Sequence, residues 1–172
     1  KFKGDFVEVA APSYTFYALT PASAVNGGSG SNWSVTIPTY QTPSSLSCDE
    51  AAMLLYAKSS EFESIPTEAI SMKFSHVATY CRLTLGNISA ALPEEAAGAV
   101  VKTVDVEFSV PVAGSWNFKL SDGTLSAGRA SNKITINAEG QNMEDLWFAM
   151  APCDLGGQSV TVSVNTDKGT IR

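Results

Sequence analysis

The chain has 172 residues, of which 44% are hydrophobic and 16% charged, and its formal net charge is -6 at pH 7. A chain of this length buries roughly 70% of the surface that its unfolded form exposes, so it needs no metal or dense disulfides to fold. The negative charge and the singly scattered Lys and Arg argue against nucleic acid or an anionic bilayer as partner, since both require clustered basic side chains. No apolar run approaches the ~20 residues that a membrane-spanning helix requires.

Strict alternation of apolar and polar residues, which is typical of a strand with one buried face, recurs along the chain. The clearest example is residues 103–110, where Val104, Val106 and Phe108 alternate with polar residues. The other predicted inward-facing sets, in chain order, are Tyr14, Phe16 and Ala18; Trp33, Val35 and Ile37; Ile70, Met72 and Phe74; Cys81, Leu83 and Leu85; Trp116, Phe118 and Leu120; Ile134 and Ile136; Leu146, Phe148 and Met150; and Val160, Val162 and Val164.

Glycine-rich and Asp/Asn-containing turns separate these predicted strands. They lie at residues 26–31, 122–123, 139–140, 156–157 and 167–169. The first of them is predicted to be a flexible hairpin loop.

Only two stretches favour a helix. Residues 49–57 fit a short helix, although residues 53–56 fit a buried strand equally well. Pro93, followed by two glutamates, predicts a single helical turn. The loose tract of residues 86–99 is interpreted as a crossover loop between two halves of one sandwich.

Many short strands without long helices predict an antiparallel β-sandwich, and residues 1–172 are interpreted as a single domain. The start at Lys1 and a strand just beginning at the end of the chain predict a piece of a longer precursor with a second β-domain downstream. Cys48, Cys81 and Cys153 are too few and too widely spaced for a disulfide framework or a metal knuckle. They are interpreted as small buried residues, or as one disulfide with a spare thiol.

The side chains that could carry chemistry favour a protein without catalytic, metal or cofactor sites. His76 ends the alternation of residues 70–74, so it is predicted to point into the core as a structural, hydrogen-bonded histidine. No nucleophile motif or second histidine accompanies it, and no stretch has the spacing of a calcium loop. Trp147 lies between Leu146 and Phe148 on the opposite face of its strand, which makes it the candidate for an exposed interface or glycan contact.

Several segments in succession resemble the amino-terminal domain of fimbrillins and fimbrillin-like adhesins, the pilus proteins of Bacteroidetes-type cell surfaces. Residues 14–21, YTFYALTP, are similar to the family's FYAxxP strand, and residues 72–78, MKFSHVA, to its F-x-H-x-x-[AS] passage. Residues 147–152, WFAMAP, are similar to its apolar strand followed by Pro. The similar segments that complete the succession are residues 33–38 with Gln41, 54–57, 81–85, 160–164 and 166–169.

The resemblance implies a pair of transthyretin-like β-sandwich domains, of which this chain supplies the first. It also implies an outer-membrane lipoprotein precursor that is trimmed by a protease and assembles by exchange of β-strands between subunits. One departure is that little precedes Tyr14, so any amino-terminal donor strand is absent or removed.

The favoured hypothesis is therefore a non-enzymatic, extracellular pilus subunit or adhesin domain at the cell surface, with other subunits and surface proteins or glycans as partners. The alternative is a non-catalytic glycan-binding module of an outer-membrane uptake system. An apolar groove at a sheet edge favours the first hypothesis, and exposed coplanar aromatic rings in a groove favour the second.

Overall fold

The fold is an all-β sandwich, as the alternation predicts. The computed structural model describes residues 11–86 and 97–171. The strands are β1 (Tyr14–Thr20), β2 (Val25–Ser29), β3 (Asn32–Ile37), β4 (Tyr40–Gln41), β5 (Leu55–Phe62), β6 (Ser75–His76), β7 (Thr79–Leu83), β8 (Val101–Phe108), β9 (Ala113–Lys119), β10 (Thr124–Ser131), β11 (Lys133–Asn137), β12 (Leu146–Met150), β13 (Val160–Thr166) and β14 (Gly169–Ile171).

Four sheets are formed by these strands. Their orders are β1-β5-β6, β10-β9-β3-β2, β14-β13-β8-β11-β4 and β12-β7. Every pairing is antiparallel except that of β11 with β4, which is parallel. The described helical content is two single 3₁₀ turns, Ala22–Ala24 and Glu50–Ala52.

The core lies between the sheets and is filled by the inward-facing side chains of the predicted alternation. Val104, Val106 and Phe108 of β8 are all buried, whereas Lys102 and Glu107 are exposed. Burying a side chain of this kind contributes about 1.5–3 kcal/mol. Ring contacts join the sheets: Phe108 meets Phe148 at 6.5 Å between centroids, and Tyr56 meets Phe118 at 5.2 Å.

The outer face of the five-stranded sheet is polar and is tied together by Asp105 of β8. Its carboxylate accepts hydrogen bonds from Thr135 Oγ1 at 2.6 Å, Lys133 Nζ at 3.1 Å and Asn165 Nδ2 at 3.1 Å. Partial burial raises the pKa of Asp105, but these hydrogen bonds outweigh it and hold the pKa below its usual value. The bonds therefore cross-link three neighbouring strands on the side that faces away from the core.

The prediction of a strand over residues 70–74 is wrong. No strand is assigned there, and β6 contains only Ser75–His76, which pairs with Leu55 and Tyr56 of β5. Burial nevertheless alternates, because Ile70, Met72 and Phe74 are half-buried while the residues between them are exposed. An extended segment that packs one side against the core produces the same period of two without forming a strand.

The helix prediction for residues 49–57 is also wrong, and the strand alternative is closer. Only Glu50–Ala52 forms a 3₁₀ turn, which begins where the Asp49 side chain accepts a hydrogen bond from Ala51 N at 2.9 Å. The chain then enters β5 at Leu55. The predicted turn at Pro93 lies outside the described residues, as does most of the predicted crossover loop.

The glycine-rich stretch predicted as a flexible loop is largely an edge strand. Residues 25–29 form β2 and pair with β3, with Gly28 opposite Trp33. A Cβ atom on Gly28 would lie 2.7 Å from Trp33 Cγ and 2.5 Å from Asn32 O. Glycine is therefore required here because the indole and the β3 backbone occupy the space of a side chain.

Candidate functional site

A groove opens between β1 and the β2–β3 hairpin, and is here named the β1–β3 groove. It encloses a volume of about 500 Å³. Strand β1 contributes Tyr17 and Leu19, β2 contributes Asn26, and β3 contributes Trp33. The remaining lining residues are Ala22, Val25, Gly27 and Leu120.

Both aromatic rings of the groove are held in place by contacts behind them. The Tyr17 ring stacks on Tyr56 with 6.4 Å between centroids and an interplanar angle of 19°. Tyr56 is in turn anchored, because its hydroxyl donates a hydrogen bond to the Leu120 carbonyl oxygen. On the other side, Trp33 Nε1 donates to the Gly30 carbonyl oxygen at 3.1 Å. The rings are thus oriented before any ligand arrives.

Asn26 provides the polar side chain of the groove. Its Nδ2 atom donates to Ser34 Oγ at 3.3 Å and to Thr36 Oγ1 at 2.7 Å. These two bonds orient the amide, and no donor among the described residues reaches its Oδ1 atom. The groove therefore presents one fixed hydrogen-bond acceptor beside two aromatic rings.

None of the eight lining residues is charged. Beside the groove, Lys58 Nζ lies over the Tyr17 ring at 5.9 Å from its centroid and donates to the Ser121 carbonyl oxygen at 3.0 Å. The groove is accordingly suited to a neutral ligand.

A second open surface is the outer edge of β13 at residues 160–163, here named the β13 edge. Strand β13 pairs with β8 along its whole length, but β14 covers only Val164, Asn165 and Thr166. Among the described residues, 160–163 have no strand partner on the side opposite β8. Val160 is 48% exposed there.

The three cysteines come from distant parts of the chain and pack on one core cluster as free thiols. Cys48 is buried, as the first interpretation predicts, while Cys81 and Cys153 are half-buried. Burial, with a smaller contribution from Cys81, raises the pKa of the Cys48 thiol to about 11. Such a thiol is protonated at neutral pH and is a poor nucleophile.

The inward orientation predicted for His76 is wrong. His76 is exposed, and its ring meets Tyr80 edge to face at 4.8 Å between centroids. The prediction failed because β6 is only two residues long and the chain reverses phase there, so that Val77 and Ala78 are the buried neighbours.

Replacing His76 with Gln is expected to change the free energy of unfolding by less than about 1 kcal/mol, because an exposed side chain loses only its contact with Tyr80. Urea unfolding at pH 7 measures this change. The buried neighbour Val77 serves as a control, since Val77→Ala should be clearly more destabilising. A loss of 2 kcal/mol or more at His76, on the scale of a buried group left without its partner, would contradict this exposed placement.

Trp147 does not occupy the exposed position predicted for it. It is half-buried, packs against the core cluster, and its Nε1 atom is buried without a hydrogen-bond partner among the described residues. The alternation misplaced it because β12 is covered on both faces, so that the residue opposite Leu146 and Phe148 does not face open solvent. The aromatic residues at an open groove are instead Tyr17 and Trp33.

Sequence patterns gave partial signals for these two residues. Trp33 was expected to face the core with Val35 and Ile37, but at the start of β3 it is only half-buried. Tyr17 lies out of phase with Phe16 and Ala18, which is consistent with its exposure of 38%.

No protein-family model, curated protein or solved structure matches this chain. The described residues contain no cluster of His, Cys, Asp and Glu that could hold a metal ion. Their helical turns are too short to cross a membrane. The class that is established is that of the fold, an all-β sandwich.

Proposed function

We propose that this chain is a non-enzymatic pilus subunit or adhesin domain of the cell surface, and that it assembles by accepting a β-strand from another subunit. The observation that carries the proposal is the β13 edge. An uncovered strand exposes a row of backbone N–H and C=O groups, which is a template for pairing with another chain.

The side chains of the β13 edge support strand addition. Val160 and Val162 pair with Phe108 and Val106 of β8 and share their core-facing side. Neither valine is fully buried, in contrast to Val164, which lies beside β14. An added strand with apolar residues at every second position would cover both valines while its backbone bonds to β13.

Two other sheet edges are blocked against such pairing. Strand β10 has a bulge between Ala127 and Ala130 and an exposed Arg129, and both features discourage edge pairing. One backbone edge of β12 is occupied by Gln41, whose side chain bonds to both the N–H and the C=O of Ala149. Residues 160–163 have neither a bulge nor a charged side chain.

A peptide with the sequence of β8, residues 101–108, is expected to raise the melting temperature of the full chain in a concentration-dependent way. This follows because a ligand that binds only the folded state stabilises it by mass action. The peptide has the required alternation, since β8 already pairs with β13 on the other side. Differential scanning fluorimetry over a peptide series measures the shift.

Two variants on the same edge separate strand addition from general stickiness. Val160→Lys places a charge on the apolar side of the edge and should abolish the shift, whereas Thr161→Lys lies on the polar face and should retain it. Absence of any shift with the unmodified chain, or equal loss in both variants, would count against strand exchange at this edge.

A further inference from the structure

The β1–β3 groove shares no residue with the β13 edge, and assembly through β13 gives it no role. It is an open site with two oriented aromatic rings, an oriented amide and no charge. These features do not arise from core packing alone, because Tyr17 remains 38% exposed.

We infer that the β1–β3 groove binds a single neutral sugar ring, which stacks on Tyr17 beside Trp33 and donates a hydroxyl hydrogen bond to Asn26 Oδ1. The inference goes beyond the proposed assembly and would hold for an isolated monomer. If the chain is an adhesin, this groove supplies the chemistry of its ligand.

The apolar and polar groups of the groove match those of a sugar ring. One face of a pyranose ring presents C–H groups that pack on an aromatic ring, while its rim presents hydroxyls. The groove offers the matching surfaces, namely the rings of Tyr17 and Trp33 and the acceptor oxygen of Asn26. Leu19 and Leu120 add apolar contacts beside the rings.

The absence of charge in the groove lining favours a neutral ligand. The chain carries a net charge of -6, yet the groove lining contains no charged side chain that would pair with a charged ligand. Lys58, whose Nζ lies over the Tyr17 ring at 5.9 Å from its centroid, is already bonded to the Ser121 carbonyl oxygen. A carboxylate or phosphate group therefore has no cationic side chain to pair with in the groove lining, whereas a neutral sugar requires no cation.

The volume of the groove and the fixed orientation of its rings also suit a single sugar. A volume of about 500 Å³ lies within the range of roughly 300–1,000 Å³ that small-molecule sites occupy. The Tyr17–Tyr56 stack and the Trp33–Gly30 hydrogen bond fix both rings. Preorganised rings lose little conformational entropy on binding, which favours a weakly interacting ligand such as a single sugar.

The test is a titration of the ¹⁵N-labelled full chain with methyl glycosides of glucose, galactose, mannose and N-acetylglucosamine, followed by NMR. At least one is expected to give saturable shifts of the amides of Gly27 and Gly28 and of the Trp33 indole N–H. Glucuronic acid and sialic acid, the charged comparison sugars, should not saturate the site. Cyclohexanol, an apolar ring with one hydroxyl, should bind at least tenfold more weakly.

Variants connect the binding to the groove. Tyr17→Ala should weaken sugar binding about tenfold, in line with the loss of one aromatic stack, while Tyr17→Phe should remain within about threefold of the unmodified chain. Tyr40→Ala is the matched control, since Tyr40 is 53% exposed on β4 and lies outside the groove. If Tyr17→Ala lowers the unfolding midpoint, Tyr17→Leu provides the same test, because it retains an apolar side chain against Tyr56 without a ring face.

Three outcomes would overturn the inference. They are the failure of every neutral glycoside to saturate the groove resonances, unchanged affinity in Tyr17→Ala or Tyr17→Leu, and equal or tighter binding of cyclohexanol or a charged sugar. None of these outcomes bears on the peptide test at the β13 edge, so the two proposals fail independently.

Discussion

Replacing Gln41 with Met is expected to lower the free energy of unfolding by about 3–5 kcal/mol, a large part of the stability of an ordinary domain. Gln41 has no exposed surface. Its Nε2 donates to the carbonyl oxygens of Pro38 at 2.9 Å and Ala149 at 2.7 Å, and its Oε1 accepts from Ala149 N at 2.8 Å. Met has a similar shape, so the variant removes two buried hydrogen bonds and one partly buried hydrogen bond without opening a large cavity.

The cost is high because Ala149 is fully buried, so water cannot replace Gln41 as the partner of its N–H and C=O groups. Each buried N–H or C=O left unpaired costs about 1–3 kcal/mol. Urea denaturation measures the difference, with Gln141→Met as the matched control. Gln141 is half-buried and donates a single hydrogen bond to the Pro43 carbonyl oxygen, so its replacement should cost about 1 kcal/mol. Equal losses in the two variants would show that Gln41 does not link β4 to β12.

Replacing Gly114 with Ala is expected to destabilise the fold by about 3 kcal/mol or more. Gly114 has a φ of +92°, a conformation that costs a residue with a side chain about 1–2 kcal/mol. A Cβ atom there would also lie 2.6 Å from Arg129 O and 3.1 Å from Ala130 Cα. Because both atoms belong to the backbone of β10, the clash is relieved only by moving that strand away from β9.

Gly140 separates the two contributions. Its φ is +75°, but among the described residues no atom beyond its two chain neighbours lies within 4 Å of the position that a Cβ atom would take. Gly140→Ala should therefore show the conformational cost alone, about 1–2 kcal/mol. The midpoint of chemical denaturation measures both variants. If Gly114→Ala were no more destabilising than Gly140→Ala, the close approach of β9 and β10 at this bulge would be wrong.

Much of the fold could be predicted from local patterns. The alternation located β3, β8, β9, β11, β12 and β13, since a strand with one buried face repeats every two residues. The turns at residues 122–123 and 139–140 were also located, because glycine there has a positive φ. The strand prediction was wrong for residues 70–74, where burial alternates but no strand forms. The orientation of His76 was wrong because the two-residue strand β6 is too short to show a period.

The surfaces could not be predicted in the same way. The position of Trp147 in the alternation predicts that it is exposed. Both faces of β12 are covered, however, so alternation does not distinguish exposed from buried residues in this strand. Tyr17 and Trp33 line the same groove because the 3₁₀ turn Ala22–Ala24 connects β1 to β2 and brings β1 beside β2 and β3. The glycine-rich segment became an edge strand because Gly28 packs against Trp33.

The sequence by itself therefore determined the all-β class and most strand positions, since both depend on residues that are neighbours in the chain. Tertiary structure alone decided the exposure of His76, the pairing of Gln41 with Ala149, and the meeting of Tyr17 with Trp33. Gln41 and Ala149 are separated by 108 positions in the chain. No local period encodes such a contact, because it depends on how complete sheets pack on one another.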